Sequence, residues 1–247
     1  MMRAGAQGTS RRDRRAPLRV CWAGLAGLAL AVAASAPLAG ATDPAGVAAT
    51  PHNLSVTGPG EVRSLTEPEI CKFCHIPHNP VASKPLWGHA LSRVGRYEVP
   101  RMRTGRSARG PAPQPDGASR LCLSCHDGTV ALGEIAGERE TIPMAGAERL
   151  GPGRPGYLGT DLSGSHPVSF VVPDGDQGAE ETGFDMGLRP LSSIQLDPDV
   201  HLDPQGKMQC TTCHDPHSDR YYRPGEVPRF WVKPTFEEVC LTCHELR

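Results

Sequence analysis

Eight cysteines fall into four pairs of identical spacing: Cys71/Cys74, Cys122/Cys125, Cys210/Cys213 and Cys240/Cys243. A histidine follows each pair at once, giving CKFCH with His75, CLSCH with His126, CTTCH with His214 and CLTCH with His244. Two thiols and an imidazole in the order C-x-x-C-H are the attachment signature of c-type haem. The two sulfurs take up the vinyl groups as thioethers, and the adjacent imidazole becomes the proximal ligand of the iron. Four covalently attached haems c are the expectation. Rival uses of the thiols account for less. Disulfides would not demand a histidine after every pair. A thioredoxin-like site uses one C-x-x-C in a βαβ frame. Zinc, with its four-ligand demand, would leave four histidines surplus.

The sixth iron ligands have to come from elsewhere. Beyond the four proximal histidines there remain His52, His78, His89, His166, His201 and His217. Bis-histidine ligation of every iron is thus affordable in numbers. Methionine, which raises the potential, is the competing ligand, with Met102, Met144, Met186 and Met208 available. Two of the spare histidines stand in a repeated phrase, CKFCHIPH and CTTCHDPH, three residues past the proximal ligand. Three residues span at most about 10 Å, too short to pass round a porphyrin to the far face of the same iron. Pro77 and Pro216 also stop any helix there. His78 and His217 are therefore expected to serve a different, adjacent haem. His52 (in TPHNLS) and His166 (in GSHPVSF) complete the expected distal set, with His89 beside Trp87 the first reserve. His201, in the acidic turn DPDVHLDP, reads as a solvated loop residue.

The elements that must position these groups are sparse. Of 247 residues 38% are hydrophobic and 5% aromatic, against 28 Gly and 25 Pro, too little apolar side chain for a large core of its own. Short helices are expected around the motifs, at 67–76, 118–126 and 235–245, the last capped by Thr235 with Glu237 and Glu238 in its first turn. Residues 101–120 read as a basic, Pro-rich loop, and 137–165 and 173–206 as turn-rich chain. SFVV at 169–172 and RFWV at 229–232 are strand-like fragments, too few for a sheet. The fold class expected is mostly irregular with short α-helices and little β, a multihaem cytochrome c wrapped around a chain of four haems. Each half opens with C-x-x-C-H-x-P-H and closes with a plain C-x-x-C-H, an internal duplication with unequal loops. The divisions are 1–41, a signal peptide; 42–135, an N-terminal dihaem half; 136–206, a loop-rich connection carrying a distal histidine; and 207–247, a C-terminal dihaem half.

The leader is basic, from Arg3 to Arg19, and is followed by an uncharged run from Val20 to Ala41 that holds the ninth cysteine, Cys21. Small-x-small sites close it at Ala34-Ser35-Ala36 and Ala39-Gly40-Ala41. Pro37 hinders the first, so cleavage after Ala41 is expected. The alternative is an uncleaved signal anchor, since about 20 apolar residues can cross a bilayer. Arg11-Arg12 begins like a twin-arginine signal, but Asp13-Arg14-Arg15 fits poorly behind it, so Sec export to the periplasm or cell exterior is expected, with no stable membrane span after cleavage. Without 1–41 the formal net charge falls from −1 to about −6. Such a surface does not suit nucleic acid, and no basic stripe with interleaved aromatics is present. Asp174-Gly175-Asp176 with Glu180 and Glu181 resembles a calcium loop only faintly. Tyr221, Tyr222, Phe230 and Trp231 read as shields for a porphyrin edge.

PHNLS, GPG, ICKFCHIPHN, PLW, CLSCHDGTVALG, HPVSF, QCTTCHDPHS and CLTCH together resemble the doubled-CxxCH multihaem cytochromes of bacteria with periplasmic or extracellular electron transport. The resemblance runs from about His52 to Arg247. It implies low-potential bis-histidine haems and redox partner proteins rather than a dissolved substrate. Some relatives with four haems polymerise into extracellular filaments in which one subunit lends an axial histidine to its neighbour, and the spare histidines here, His52 above all, leave a homopolymer open. The function expected is transfer of single electrons, not enzymatic turnover. The alternatives are a filament subunit, or a multihaem reductase with one five-coordinate iron.

Overall fold

Proline and glycine interrupt this chain so often that regular structure survives only in short pieces. The structure, a computed structural model, describes residues 46–82, 85–102, 110–174 and 186–246. The expected signal peptide at 1–41 lies outside these residues, as do the middle of the basic loop and most of the calcium-like segment. Among the described residues four α-helices occur: α1 Gly117–His126, α2 Leu191–Gln195, α3 Cys210–Cys213 and α4 Phe236–Cys243. Three two-stranded antiparallel ladders join them: β1 Arg63–Ser64 with β4 Met144–Ala145, β2 Arg101–Met102 with β3 Gly110–Pro111, and β5 Met186–Leu188 with β6 His244–Leu246. Mostly irregular chain with few short helices and little sheet is what the composition implies. None of the described helices is long and apolar enough to cross a membrane.

Helix α4 begins as its sequence dictates. Thr235 Oγ1 accepts the Glu238 amide at 3.2 Å, and Glu237 and Glu238 lie in the first turn, where the helix dipole favours negative charge. The helix expected at 67–76 is instead a single 3-10 turn over Cys71–Phe73. Pro77 stops it on the far side: the proline has no amide to continue the ladder, and it steers Ile76 out of the α region. SFVV and RFWV are extended but unladdered: Val171 bridges Lys207, and Trp231 bridges His214.

No single large core forms among the described residues; three small clusters do, each backing a C-x-x-C-H segment. Phe73, Ile135 and Ile142 pack with Leu54, Cys74, Ile76 and Met144 behind the first motif. Tyr97, Leu123 and Leu162 hold the second, Leu123 being inside CLSCH itself. Val200, Val227, Trp231, Val232 and Val239 pack with Cys213 and Tyr221 behind the last two. Met144 thus has a gap-filling place against Phe73.

A polar hub ties α1 to α3. Gln209, 1% exposed, accepts at Oε1 from the Ser119 amide (3.2 Å), the Ser119 hydroxyl (2.6 Å) and the Ser169 hydroxyl (3.2 Å). Its Nε2 donates to Asp116 (3.1 Å) and Asp203 (2.9 Å). Lys207 closes an ion pair with Asp116, and the Cys210 amide donates to Ser119 Oγ at 3.0 Å. Gly117 adopts φ +48° here, and a Cβ on it would sit 2.9 Å from Gln209 Nε2.

Candidate functional site

Each motif is one helical turn, and this explains its spacing. The Cys71 carbonyl accepts the amides of Cys74 (3.1 Å) and His75 (2.8 Å), and the Cys210 carbonyl accepts that of His214 (3.1 Å). Residues i, i+3 and i+4 on one turn project to the same side, so both sulfurs and the imidazole can address one planar ligand. None of the eight cysteines is in a disulfide. Among the described residues no cluster of three or more thiol, imidazole or carboxylate donors is built to hold a bare metal ion. The motifs therefore stand as separate units, as haem attachment requires.

The motifs are also neighbours. The thiols of Cys122 and Cys210 lie close enough to perturb one another across the contact of α1 with α3. Burial, then the nearby Cys74, push the Cys125 thiol up. Burial, then Cys243 and Cys240, push Cys213 up to about 12. In space the first motif meets the second, the second the third, and the third the fourth.

Three proximal histidines each face a second imidazole from a distant part of the chain. The ring centres of His75 and His217 are 6.1 Å apart with planes at 18°. Those of His126 and His52 are 6.0 Å apart at 71°, and those of His244 and His166 6.3 Å apart at 61°. A metal–imidazole bond is about 2.0 Å, and the ring centre lies roughly an ångström behind the bonding nitrogen. Two imidazoles on opposite sides of one metal are therefore spaced by roughly 6 to 6.5 Å. Direct stacking of two such rings is closer, as the 4.1 Å between His52 and Phe230 illustrates. The three separations fit the gap an axially ligated iron occupies.

The hydrogen bonds point the same way. Nδ1 meets a main-chain carbonyl in His75 (Pro85, 2.6 Å), His126 (Gly156, 2.7 Å), His214 (Arg229, 3.2 Å), His52 (Pro216, 3.1 Å) and His166 (Pro167, 2.8 Å). In His217 it faces the Asp215 carboxylate at 3.4 Å. A carbonyl can only accept, so Nδ1 carries the proton and the lone pair is left on Nε2. No Nε2 of these six rings has a hydrogen-bond partner among the described residues. The Nδ1 of His244 is buried without a hydrogen-bond partner among the described residues. Burial pushes His52 down to about 4, against the pull of the Pro216 carbonyl, and burial also lowers His244. Both rings stay neutral at physiological pH, the state in which Nε2 can ligate.

The local backbone serves these orientations. Gly156, at φ +83°, brings its carbonyl to His126, and a Cβ there would lie 3.1 Å from the ring. Around His75 the chain doubles back: the Ile76 amide donates to Leu86 O at 3.0 Å, and the Gly88 amide to Cys74 O at 2.8 Å. Trp87 meets His75 edge-on at 6.1 Å. Of the aromatic residues expected to shield a porphyrin, Phe230 lies flat on His52 and Trp231 meets His214 edge-on at 5.0 Å. Tyr221 and Tyr222 instead carry the guanidinium groups of Arg220 and Arg229.

Of the expected distal histidines, His52, His166 and His217 meet proximal rings. His78 is exposed and faces no other imidazole among the described residues. His89 is fully buried, with Nδ1 at 2.9 Å from Ala90 O and Nε2 at 3.1 Å from Ala131 O; burial favours the neutral ring, which donates to one of these carbonyls, and both nitrogens face backbone rather than another imidazole. His201 is exposed, as its acidic turn implies, and lies at the edge of a cleft that it shares with His214. The carbonyl acceptors could not be foreseen, because every residue has one.

No curated protein matches the chain. Residues 203–246, which contain both CTTCH and CLTCH, match a family described as the doubled CXXCH motif. That match and the geometry of the motifs support a multihaem c-type cytochrome-like protein, similar to electron-transfer cytochromes, whose C-x-x-C-H motifs bind haem c covalently.

Proposed function

We propose that this chain carries four haems c with bis-histidine axial ligation and passes single electrons between redox partner proteins in the periplasm or at the cell exterior. The observation that carries the proposal is the set of three imidazole pairs whose ring centres are 6.0 to 6.3 Å apart. Each haem when bound supplies a ferric/ferrous couple. The chain's part is to hold it. Cys71 and Cys74, and their counterparts in the other motifs, anchor the macrocycle, while His75, His126, His214 and His244 bind one face. His217, His52 and His166 close the opposite face of three centres, so no substrate needs to reach those irons and turnover at them is not called for. Two neutral imidazoles favour a low potential over a methionine-ligated one. The contiguity of the motifs, with Cys122 beside Cys210, favours rapid exchange between neighbouring centres.

The reading predicts four haems per chain by mass and by pyridine haemochrome, and low-spin ferric signals from the His75, His126 and His244 centres. His52→Ala opens the iron at His126 and creates one carbon monoxide site per chain. A haem count below four, or carbon monoxide binding by several centres in the unmodified protein, would overturn it. A second reading, a reductase with one open iron, is favoured by one observation alone: the cleft beside His214.

A further inference from the structure

His214 is the proximal histidine that faces no second imidazole ring among the described residues; Trp231 flanks it edge-on. Beside it opens a cleft of about 290 Å³, lined among others by Thr211, Asp199, Arg220 and His201. His201 enters this cleft from a segment whose backbone is pinned on both sides. Upstream, Asp197 Oδ1 accepts the amides of Asp199 (3.0 Å) and Val200 (2.9 Å), and Lys233 holds the Asp197 carboxylate at 2.9 Å. Val200, 2% exposed, is packed with Trp231 in the same apolar cluster. Downstream, Asp203 Oδ1 accepts the amides of Gln205 (2.9 Å) and Lys207 (2.8 Å), while its other oxygen takes Gln209 Nε2. The His201 side chain is exposed and has no hydrogen-bond partner among the described residues, so it turns about its own χ angles without disturbing the loop.

Three of the other spare histidines face proximal rings, and His89 is buried between the Ala90 and Ala131 carbonyls. His78 lies in the exposed 77–79 segment beside His75 and does not line the cleft at His214. We propose that His201 is the distal ligand of the iron held by His214, swinging into the cleft to close the fourth centre. This rests on the reading of Cys210–His214 as a haem site.

The test uses the full chain with haem attached, as unmodified protein and as His201→Ala, His201→Met and His78→Ala. Haem is counted by pyridine haemochrome and peptide mass, carbon monoxide binding is read by difference spectrum of the reduced form, and spin state by EPR of the oxidised form. The expected result is no carbon monoxide binding in the unmodified protein or in His78→Ala. His201→Ala gains one carbon monoxide site in four haems and a high-spin ferric signal. His201→Met, a ligating replacement that serves also if the alanine variant fails to fold, stays low-spin with one centre shifted to higher potential. Four attached haems with His201→Ala still silent to carbon monoxide would overturn the assignment while leaving the tetrahaem reading intact, as would a site opened by His78→Ala or already open in the unmodified protein. Unmodified Cys210 and Cys213 in the peptide mass would overturn both.

Discussion

Replacing Gln209 with leucine keeps the volume of a side chain that is 1% exposed but removes five hydrogen bonds at once. Their losses are unequal. Asp116 and Asp203 keep Lys207 or backbone amides and can draw on water, so releasing them costs little. Ser169 can turn its hydroxyl to the Asp116 carbonyl, already at 3.5 Å, while still accepting the Asp116 amide at 2.9 Å. Ser119 is fully buried and has no alternative: its amide and its hydroxyl proton both lose their acceptor. A buried donor left unsatisfied costs about 1–3 kcal/mol, and leucine recovers part through its apolar surface. The net expectation is about 3 kcal/mol, a factor of roughly 150 in the unfolding equilibrium and a large share of the stability of a domain of this size. Urea unfolding of the haem-loaded protein, followed by Soret circular dichroism, measures it. Because the hub sets Cys122 beside Cys210, the coupled Soret signal of neighbouring haems should weaken even before unfolding. A midpoint within 1 kcal/mol of the unmodified protein, with an unchanged Soret couplet, would refute the view that this hub joins α1 to α3.

Burial works to raise the Asp127 carboxyl, but hydrogen bonds from Ser92, from Tyr97 (2.6 Å) and from Thr129 (2.8 and 2.7 Å) outweigh it and hold the group below the ordinary carboxylate range. Its contribution is therefore present at neutral pH and lost as pH falls through that depressed value, so acid unfolding of Asp127→Asn should show a smaller pH dependence below about pH 4. Tyr97→Phe removes one charge-assisted bond and should cost about 1.5–3 kcal/mol in thermal or urea unfolding. Gly156→Ala forces a side chain into φ +83° and against the His126 ring, for which about 1 kcal/mol or more of destabilisation and an altered EPR signal from one haem are expected. Ring planes at 18° for His75/His217 and at 71° and 61° for the other two pairs should give one rhombic low-spin ferric signal and two of larger anisotropy; three alike would contradict the ring orientations.

The spacing of the motif cysteines and histidines was legible because each C-x-x-C-H is one helical turn. Helices α1 and α4 were legible for a related reason: both carry motif residues, and α4 has its own cap at Thr235, whereas the helix expected at 67–76 shrank to one turn between Pro68 and Pro77. His217 could be assigned away from its own iron by chain length alone, and it does face a different proximal histidine. The same argument applied to His78 does not find it a partner ring among the described residues. His89 read as a reserve ligand because nothing local reveals that it will be buried between the Ala90 and Ala131 carbonyls. His201 read as solvated and is exposed; the cleft it lines with His214 could not be foreseen, because it depends on Arg220 and Trp231, about twenty to thirty residues away. Long-range placement of this kind leaves no local periodicity to detect.

The imidazole pairs join positions far apart in the chain: His52 with His126, His166 with His244, and His75 with His217. With an iron between each pair they are cross-links closing loops of about 75, 80 and 140 residues, the last enclosing most of the others. Loop closure on that scale removes as much unfolded-state entropy as a long-range disulfide, about 4–5 kcal/mol by the chain-entropy estimate. On that reading a chain whose described apolar clusters are small and whose described ladders are two-stranded would gain its rigidity from such links. Maturation would then have a built-in order: the first motif is translated before the others, yet its iron would wait for His217, about 140 residues further on, before it is closed.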